Sequence, residues 1–212
     1  MNFIGRDLDL AVLRREFEND RAALVILYGR RRIGKSTLLQ KAVASRNAIY
    51  FQATLVDDAL NLAALKGEIS AVLGEDPVLD GISDWLGVLH YVAGRAEEHR
   101  GLVLSLDEFP YLVGGNPALP SIMQKFWDTK AAEKGALKIA LCGSLISQME
   151  DLLAERNPLY GRKTLVREIL PLPLREAAAF VPDWEPADQI ALFSVLGGIP
   201  YYLSLCDPSA SL

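Results

Sequence analysis

The sequence predicts an α/β fold in which a mostly parallel five-stranded sheet is flanked by helices and followed by the start of a helical lid. Short apolar runs alternate along the chain with segments whose apolar residues recur at helical spacing, and this pattern changes after Pro171–Pro173. Alternating strands and helices imply right-handed crossovers and a parallel sheet. We therefore expect a core at residues 1–170 and a helical lid at residues 171–212.

The five strands are predicted from runs rich in apolar, aromatic and β-branched residues. Ala22–Tyr28 is a continuous apolar run, as expected for a strand that is buried on both faces, and Leu102–Leu106 is predicted to be a second buried strand. Arg162–Leu170 alternates between apolar and polar residues, which indicates a strand at the edge of the sheet. Asn47–Thr54 and Leu137–Cys142 complete the set.

Helices are predicted where apolar residues recur three or four positions apart. In chain order these segments are Leu8–Glu18, Lys35–Ser45, Ala59–Leu73, Trp85–Arg100, Ile122–Lys134, Leu145–Glu155 and Leu174–Phe180. Glycine and proline indicate a loop at Gly114–Pro120. The uncharged stretch Ile190–Cys206 contains Gly197–Pro200 and is interpreted as two buried helical pieces around a turn. It is shorter than the roughly 20 residues of a membrane span, which is the second interpretation.

Composition and charge argue against several classes of function. The 212 residues include 22 basic and 27 acidic ones, for a net charge of −5, which does not support a broad nucleic-acid surface but leaves open a local basic patch. The 2 cysteines and 2 histidines are scattered, whereas a zinc site needs about four closely spaced ligands. Few cysteines and no signal peptide at the start predict a cytoplasmic protein with no membrane partner.

A glycine-rich segment follows the first predicted strand and opens the next helix. Residues Gly29–Ser36 match GxxxxGK[ST], the phosphate-binding P-loop pattern, at every fixed position. Its glycines let backbone N–H groups turn inward around phosphate oxygens. Lys35 is expected to contact the β and γ phosphates, and Ser36 to offer a hydroxyl to Mg²⁺. The alternative is a glycine-rich turn with a solvated lysine. The predicted contacts are Gly29, Arg30, Arg31, Arg32, Ile33, Gly34, Lys35, Ser36 and Thr37.

Two carboxylates follow the buried strand Leu102–Leu106. We expect Asp107 to hold Mg²⁺ and Glu108 to act as the general base that activates the attacking water. The pair on its own also fits a solvated strand end, and it gains weight beside a phosphate loop on a neighbouring strand. The motifs of two other P-loop classes are absent from the sequence. It has no NKxD guanine signature, which is typical of GTPases, and no arginine-rich lid, which is typical of small-molecule kinases.

Candidates for sensing and stabilising the transferred phosphoryl group follow later strands. Ser144 ends the strand Leu137–Cys142, where a polar side chain could contact the γ-phosphate, or cap the next helix, or do both. Arg156 and Arg162 could stabilise transition-state charge, in their own subunit or in a neighbour's, which would require an oligomer. The alternative for each arginine is a surface salt bridge.

The segments together resemble the AAA+/STAND-type ATPases, in particular the archaeal-type ATPases. The resemblance runs from Phe3–Asp7, which is similar to the FVGRE motif, through the phosphate loop and Leu106–Leu112 to Gly197–Leu203, which is similar to the GxP motif of the lid. It implies the fold of a P-loop NTPase. It departs from STAND relatives at Ser144, where those proteins often have an arginine.

The resemblance also implies roles by position. Phe3, Ile4 and Gly5 would lie near adenine, and Pro200 would close over the nucleotide from the lid. The alternatives are a hydrophobic staple at the first two residues and a plain helix-breaking turn around Pro200. The family continues into a winged helix and often a nuclease-like domain, which implies a DNA or protein partner beyond Leu212 and leaves open that this chain is a truncated piece.

Three functions are compatible with these residues. The first is Mg²⁺-dependent hydrolysis of ATP to ADP and phosphate, which would drive a conformational switch of the lid or of downstream domains. The second is a regulatory module that turns over little nucleotide and holds ADP until a partner binds. The third, a P-loop kinase, would need a phosphorylated product.

Overall fold

Five parallel strands form the centre of the protein in the computed structural model, which describes residues 3–210. Along the chain they are β1 (Ala23–Gly29), β2 (Ala48–Gln52), β3 (Val103–Asp107), β4 (Lys138–Gly143) and β5 (Leu165–Ile169). Their order across the sheet is β2-β3-β4-β1-β5, and each neighbouring pair is parallel. The predicted five-stranded α/β fold is confirmed, with a fully parallel sheet and Leu165–Ile169 at an edge.

Helices connect and cover these strands. They are α1 (Asp7–Glu18), α2 (Lys35–Val43), α3 (Asp58–Leu73), α4 (Pro77–Gly81), α5 (Trp85–Glu98), α6 (Phe109–Gly115), α7 (Leu119–Asp128), α8 (Ala131–Lys134), α9 (Ile146–Asp151), α10 (Leu174–Ala177), α11 (Pro186–Leu196) and α12 (Pro200–Leu203). A 3₁₀ turn, Ala178–Phe180, follows α10.

Two apolar cores lie on opposite faces of the sheet. Alternate residues of β1 supply both, with Ile26 in the cluster that includes α3, α5 and α7 and Leu27 in the cluster that includes α1 and α2. All seven residues of β1 are buried, which explains why its sequence is continuously apolar. A third, smaller cluster lies among residues 172–203 and includes Leu172, Leu192 and Leu203.

Several predicted boundaries were wrong for local reasons. The helix predicted at Ile122–Lys134 is divided, because Lys130 adopts a left-handed conformation with φ 57° between α7 and α8. The predicted loop Gly114–Pro120 is shorter than expected, since α6 includes Gly114 and α7 accommodates Pro120 in its first turn. The helix predicted at Leu145–Glu155 is reduced to α9.

The uncharged stretch Ile190–Cys206 contains the predicted helical pieces, but they are not buried throughout. Leu192 and Leu203 pack inward, whereas Ile190 is 53% exposed and Val195 is 82% exposed. The physical reason is that α11 and α12 pack mainly on the small third cluster, which leaves their other faces exposed. Within residues 3–210, no helix combines the length and the apolar character that crossing a membrane would need.

Candidate functional site

A cavity of about 260 Å³ lies where the carboxyl ends of the central strands meet the segment that follows β5. Such strand ends are where ligands bind in parallel α/β sheets. The loop after β1 contributes residues 31–37, β3 is followed by Glu108, and β4 is followed by Ser144. The N-terminal segment and the region after β5 complete the wall with Phe3, Ile4, Arg6, Phe180, Pro200 and Tyr201.

The backbone of the phosphate loop requires both of its fixed glycines. Gly29 has φ 152°, and a Cβ there would lie 2.4 Å from the Ile169 carbonyl oxygen of β5. Gly34 has φ 90° and precedes α2 in a left-handed conformation that glycine adopts without strain. Arg32 is also left-handed, with φ 66°. The loop thus turns sharply between β1 and the N-terminus of α2, as an anion-binding loop must.

Lys35 lies under this loop and is only 5% exposed. Its Nζ donates to the carbonyl oxygens of Gly29 and Arg30, both at 3.0 Å. Burial lowers the pKa of Lys35, while the nearby acidic groups Asp107 and Glu108 oppose this shift. The ammonium group is therefore held at the mouth of the loop, where it can exchange carbonyl contacts for phosphate oxygens.

The two adjacent carboxylates have different surroundings. Asp107 is 1% exposed, lies behind the cavity wall, and accepts hydrogen bonds from the Tyr50 hydroxyl and the Glu108 amide. Glu108 adopts a left-handed conformation, with φ 52° and ψ 42°, and lines the cavity. The turn between β3 and α6 therefore separates one buried carboxylate from one that faces the cavity.

The phosphate loop and the acidic pair were expected on neighbouring strands, and that expectation was wrong. β4 lies between β1 and β3 and pairs with both. The crossovers that place β4 there are long-range connections, which strand patterns in a sequence do not specify. As a result Ser144, just after β4, lies between the loop and Glu108.

Ser144 contacts the acid rather than capping a helix. Its Oγ lies 2.9 Å from Glu108 Oε2 and 3.1 Å from Oε1, and its backbone N–H donates to Oε2 at 3.3 Å. It also accepts a hydrogen bond from Arg31 Nε at 3.4 Å. The next helix, α9, starts after Leu145 and has no side-chain cap, so the capping alternative was wrong.

The two later arginines do not reach the cavity. Arg162 makes a bidentate pair with Asp128, with Nε–Oδ1 at 2.7 Å and Nη2–Oδ2 at 2.8 Å. Arg156 pairs with Asp151 on the surface. The planar fork of arginine matches a carboxylate, and both guanidinium groups are engaged this way. The structure therefore does not place Arg162 with the other predicted catalytic residues, and it matches the salt-bridge alternative for both arginines.

The N-terminal segment and the region after β5 form the apolar side of the cavity. Phe3, Ile4 and Pro200 line it as the resemblance implied, but Gly5 does not. Gly5 instead packs against Glu176, because a Cβ there would lie 2.3 Å from the Glu176 carboxylate. A Cβ at Gly34 would lie 3.9 Å from Pro200 Cγ, so Pro200 approaches the phosphate loop directly.

Sequence reasoning missed three cavity residues. Arg6 is buried and its Nη2 donates to the Ile33 carbonyl at 3.2 Å, which ties the N-terminal segment to the phosphate loop. Burial lowers the pKa of Arg6. Phe180 approaches from the 3₁₀ turn after α10, and Tyr201 from α12. Arg6 lies inside the FVGRE-like motif and Tyr201 inside the GxP-like motif, so both could have been predicted from the sequence. No sequence pattern indicated Phe180.

The site offers oxygen donors suited to Mg²⁺. Among residues 3–210, no three or more His, Cys, Asp or Glu side chains cluster as a metal cage. Mg²⁺ is usually held by one or two carboxylates together with substrate phosphates, so it needs no such cage. The Ser36 hydroxyl at the cavity and the Asp107 carboxylate behind it fit that chemistry.

Comparison with known proteins assigns the family. The sequence profile of the ATPase domain predominantly from Archaea matches residues 3–206. The chain belongs to this ATPase family. An uncharacterized protein of Methanocaldococcus jannaschii is 33% identical over 205 residues, which cover 95% of this chain and 43% of that protein. This ATPase domain therefore spans less than half the length of that curated relative.

Solved structures share the fold of this ATPase domain. A Walker-type ATPase of Pyrococcus abyssi has a TM-score of 0.72 and 21% identity, over 95% of this chain and 65% of that chain. The Aeropyrum pernix ORC2 protein, solved with ADPNP and ADP, has a TM-score of 0.64 and 16% identity, over 85% and 53%. The ORC1 protein of the same organism, solved with DNA, has a TM-score of 0.60 and 13% identity, over 95% and 58%.

Proposed function

We propose that this chain binds ATP with Mg²⁺ and hydrolyses it to ADP and phosphate. The observation that carries the proposal is that the phosphate loop, Glu108 and Ser144 line one cavity although they follow three different strands. Membership of an ATPase family supports nucleotide binding, and the second solved relative holds ADPNP and ADP. The acid at the cavity wall supports hydrolysis in addition to binding.

The phosphate loop would bind the triphosphate. Its inward backbone N–H groups and the N-terminus of α2 favour anions, and Lys35 adds a full positive charge. Ser36 and Asp107 would hold Mg²⁺ together with the phosphates, and the ion would neutralise part of the phosphate charge. Tyr50 holds the Asp107 carboxylate in place, and burial raises the pKa of Tyr50, so its hydroxyl stays protonated as a donor.

Glu108 would accept the proton of the attacking water. As the water oxygen bonds to the γ-phosphorus, the bond from that phosphorus to the β–γ bridging oxygen breaks, and its electron pair leaves with ADP. The water proton passes to the Glu108 carboxylate. Ser144, which touches this carboxylate through its Oγ and its N–H, would fix its direction.

The apolar part of the cavity would hold the adenine. Phe3 and Ile4 come from the N-terminal segment, and Phe180, Pro200 and Tyr201 come from the lid side. An aromatic and aliphatic wall binds a flat base by burying its faces. Since the walls belong to two separate segments, the base would connect the core to the lid when it binds.

The phosphate loop already contacts the lid through Arg32, which supports a lid that responds to nucleotide. The Arg32 guanidinium lies 4.7 Å from the centre of the Tyr201 ring and 5.4 Å from that of Tyr202. It also donates to the Tyr202 hydroxyl at 3.1 Å. If the phosphate loop moves when it binds a phosphate, the movement would therefore be transmitted to α12 directly through Arg32.

Replacing Arg32 with alanine is expected to speed the release of bound ADP about tenfold. The change removes two cation–π contacts and a hydrogen bond, together about 1–2 kcal/mol. Stopped-flow release of a fluorescent ADP analogue measures the rate. Tyr202→Phe removes only the hydroxyl contact and should act in the same direction by about threefold. An unchanged release rate in Arg32→Ala would show that this contact does not hold the lid.

A second function is favoured by the contacts of Glu108. Its carboxylate accepts hydrogen bonds from the Ser144 hydroxyl and amide, and these contacts would have to rearrange if the carboxylate is to turn fully toward an attacking water. A protein that rests in such a state would keep its nucleotide and turn it over slowly until a partner releases the acid. This is the regulatory module, with DNA or a protein as the partner, and a relative's complex with DNA favours DNA.

Two measurements on the purified protein separate these functions. Calorimetry is expected to show ATP binding with Mg²⁺ present and weaker binding after chelation of Mg²⁺. Steady-state phosphate release is then measured alone and with duplex DNA. Release by the protein alone supports the ATPase, and release only with DNA supports the regulatory module. Absence of binding to both ATP and ADP would sink both proposals.

A further inference from the structure

We propose that Arg31 is a catalytic residue that supplies, from within the same chain, the positive charge that stabilises the γ-phosphoryl group during hydrolysis. The inference rests on the proposed ATPase function. The sequence suggested Arg162 for stabilising the charge of the transition state, and the inference assigns this role to Arg31 instead. It starts from the observation that three consecutive arginines of the phosphate loop have three different surroundings.

Arg31 faces the side of the cavity where the acid lies. It lines the cavity, and its Nε donates to Ser144 Oγ at 3.4 Å. That same oxygen lies 2.9 Å from Glu108 Oε2. The guanidinium is therefore separated by one hydroxyl from the carboxylate that would activate water. Since the attacking water must lie between Glu108 and the γ-phosphorus, Arg31 lies beside the reacting atoms.

Its two neighbours in the loop do not occupy this position. Arg32 points toward the lid and is held by Tyr201 and Tyr202. Arg30 offers its carbonyl to Lys35, and its side chain makes no hydrogen bond or salt bridge to any residue between 3 and 210. The loop thus directs one arginine to the lid and another to the acid.

The charge of Arg31 is available to a ligand. Both of its partners are neutral hydroxyls, Ser144 and Tyr111, the latter at 2.6 Å from Nη2. Within the described part of the chain it forms no salt bridge, in contrast to Arg156 and Arg162, each of which is paired with a carboxylate. A guanidinium on neutral partners can exchange them for phosphate oxygens without leaving a buried carboxylate unpaired.

The role follows from the chemistry of the step. While the water oxygen bonds to the γ-phosphorus and the bridging bond breaks, negative charge shifts onto the γ and bridging oxygens. The planar fork of Arg31 can donate two hydrogen bonds to those oxygens. Such an arginine adds little to the binding of ADP, which has no γ-phosphate. Its contribution should therefore appear with the transition state and be nearly absent with the product.

The test compares binding of ADP alone with binding of ADP and aluminium fluoride, which mimics the planar phosphoryl group. In calorimetry, wild type is expected to bind ADP at least about 100-fold more tightly when aluminium fluoride is present. Arg31→Ala should keep its ADP affinity within about twofold and lose most of that gain. Its steady-state phosphate release should fall about 100-fold, with partial recovery in Arg31→Lys.

Controls separate this role from its alternatives. Arg15→Ala removes an exposed arginine of α1 and should change neither measurement. This variant tests whether the loss of one positive charge alone explains the effect of Arg31→Ala. Tyr111→Phe removes the other partner of Arg31 and should keep the aluminium fluoride gain. An equal loss in Tyr111→Phe, or a full gain and full release in Arg31→Ala, would overturn the catalytic role while leaving the ATPase standing. Wild-type protein that binds no nucleotide would instead overturn the proposed function itself.

Discussion

Replacing Lys35 with alanine is expected to weaken ATP binding by at least about 100-fold. The Lys35 side chain is largely buried under the phosphate loop, so phosphate oxygens would bind a charge that is already partly desolvated. Charge-assisted hydrogen bonds contribute about 1.5–3 kcal/mol each, and two lost contacts correspond to a factor of about 10²–10⁴. Isothermal calorimetry with Mg·ATP measures this affinity directly.

The same substitution also removes the two hydrogen bonds from Lys35 to the loop carbonyls, so folding must be checked separately. Thermal unfolding should change little, because those carbonyls lie beside the cavity and water can replace the ammonium. Lys125→Ala, which removes an exposed lysine of α7, serves as the matched control. An affinity for ATP that is unchanged in Lys35→Ala would refute the phosphate-loop assignment.

The phosphate loop could be predicted because its chemistry is local. Residues 29–36 form a continuous segment between a strand and a helix, and the fixed glycines, lysine and serine each meet a requirement of backbone or charge within that segment. The reason for Gly29 was only partly visible, since the close approach of the Ile169 carbonyl from β5 involves a residue 140 positions away. Sequence patterns show that a turn is needed, but not which neighbour requires it.

The remaining parts of the site depend on long-range packing. Ser144 meets Glu108 because β4 enters between β1 and β3, and only the strand order reveals this. Arg162 was a catalytic candidate because it lies just before the last predicted strand, but its guanidinium pairs with Asp128 at the end of α7. Phe180 reaches the cavity from a short 3₁₀ turn with no distinguishing pattern. In each case the deciding partner lies far away in the sequence.

Replacing Glu108 with glutamine is expected to abolish steady-state phosphate release while ATP binding persists. Glutamine has nearly the same size, and its amide oxygen can accept from the Ser144 N–H, so the left-handed turn at the start of α6 should survive. An amide cannot take the water proton, and loss of a positioned general base costs about 10²–10⁴ in rate. Affinity for ATP should stay equal or rise, because one negative charge near the γ-phosphate is gone.

Comparing Mg·ATP affinity with the rate of phosphate release in Glu108→Gln shows whether the contact between Ser144 and Glu108 serves catalysis. If the carboxylate is the base, release falls about 1,000-fold and Mg·ATP remains bound and intact by mass spectrometry. Glu155→Gln, an exposed glutamate after α9, should leave both quantities unchanged. Release at the wild-type rate in Glu108→Gln would mean that another group activates the water. The hydrogen bonds between Ser144 and Glu108 would then have only a structural role, because the Glu108 carboxylate would take no part in the reaction.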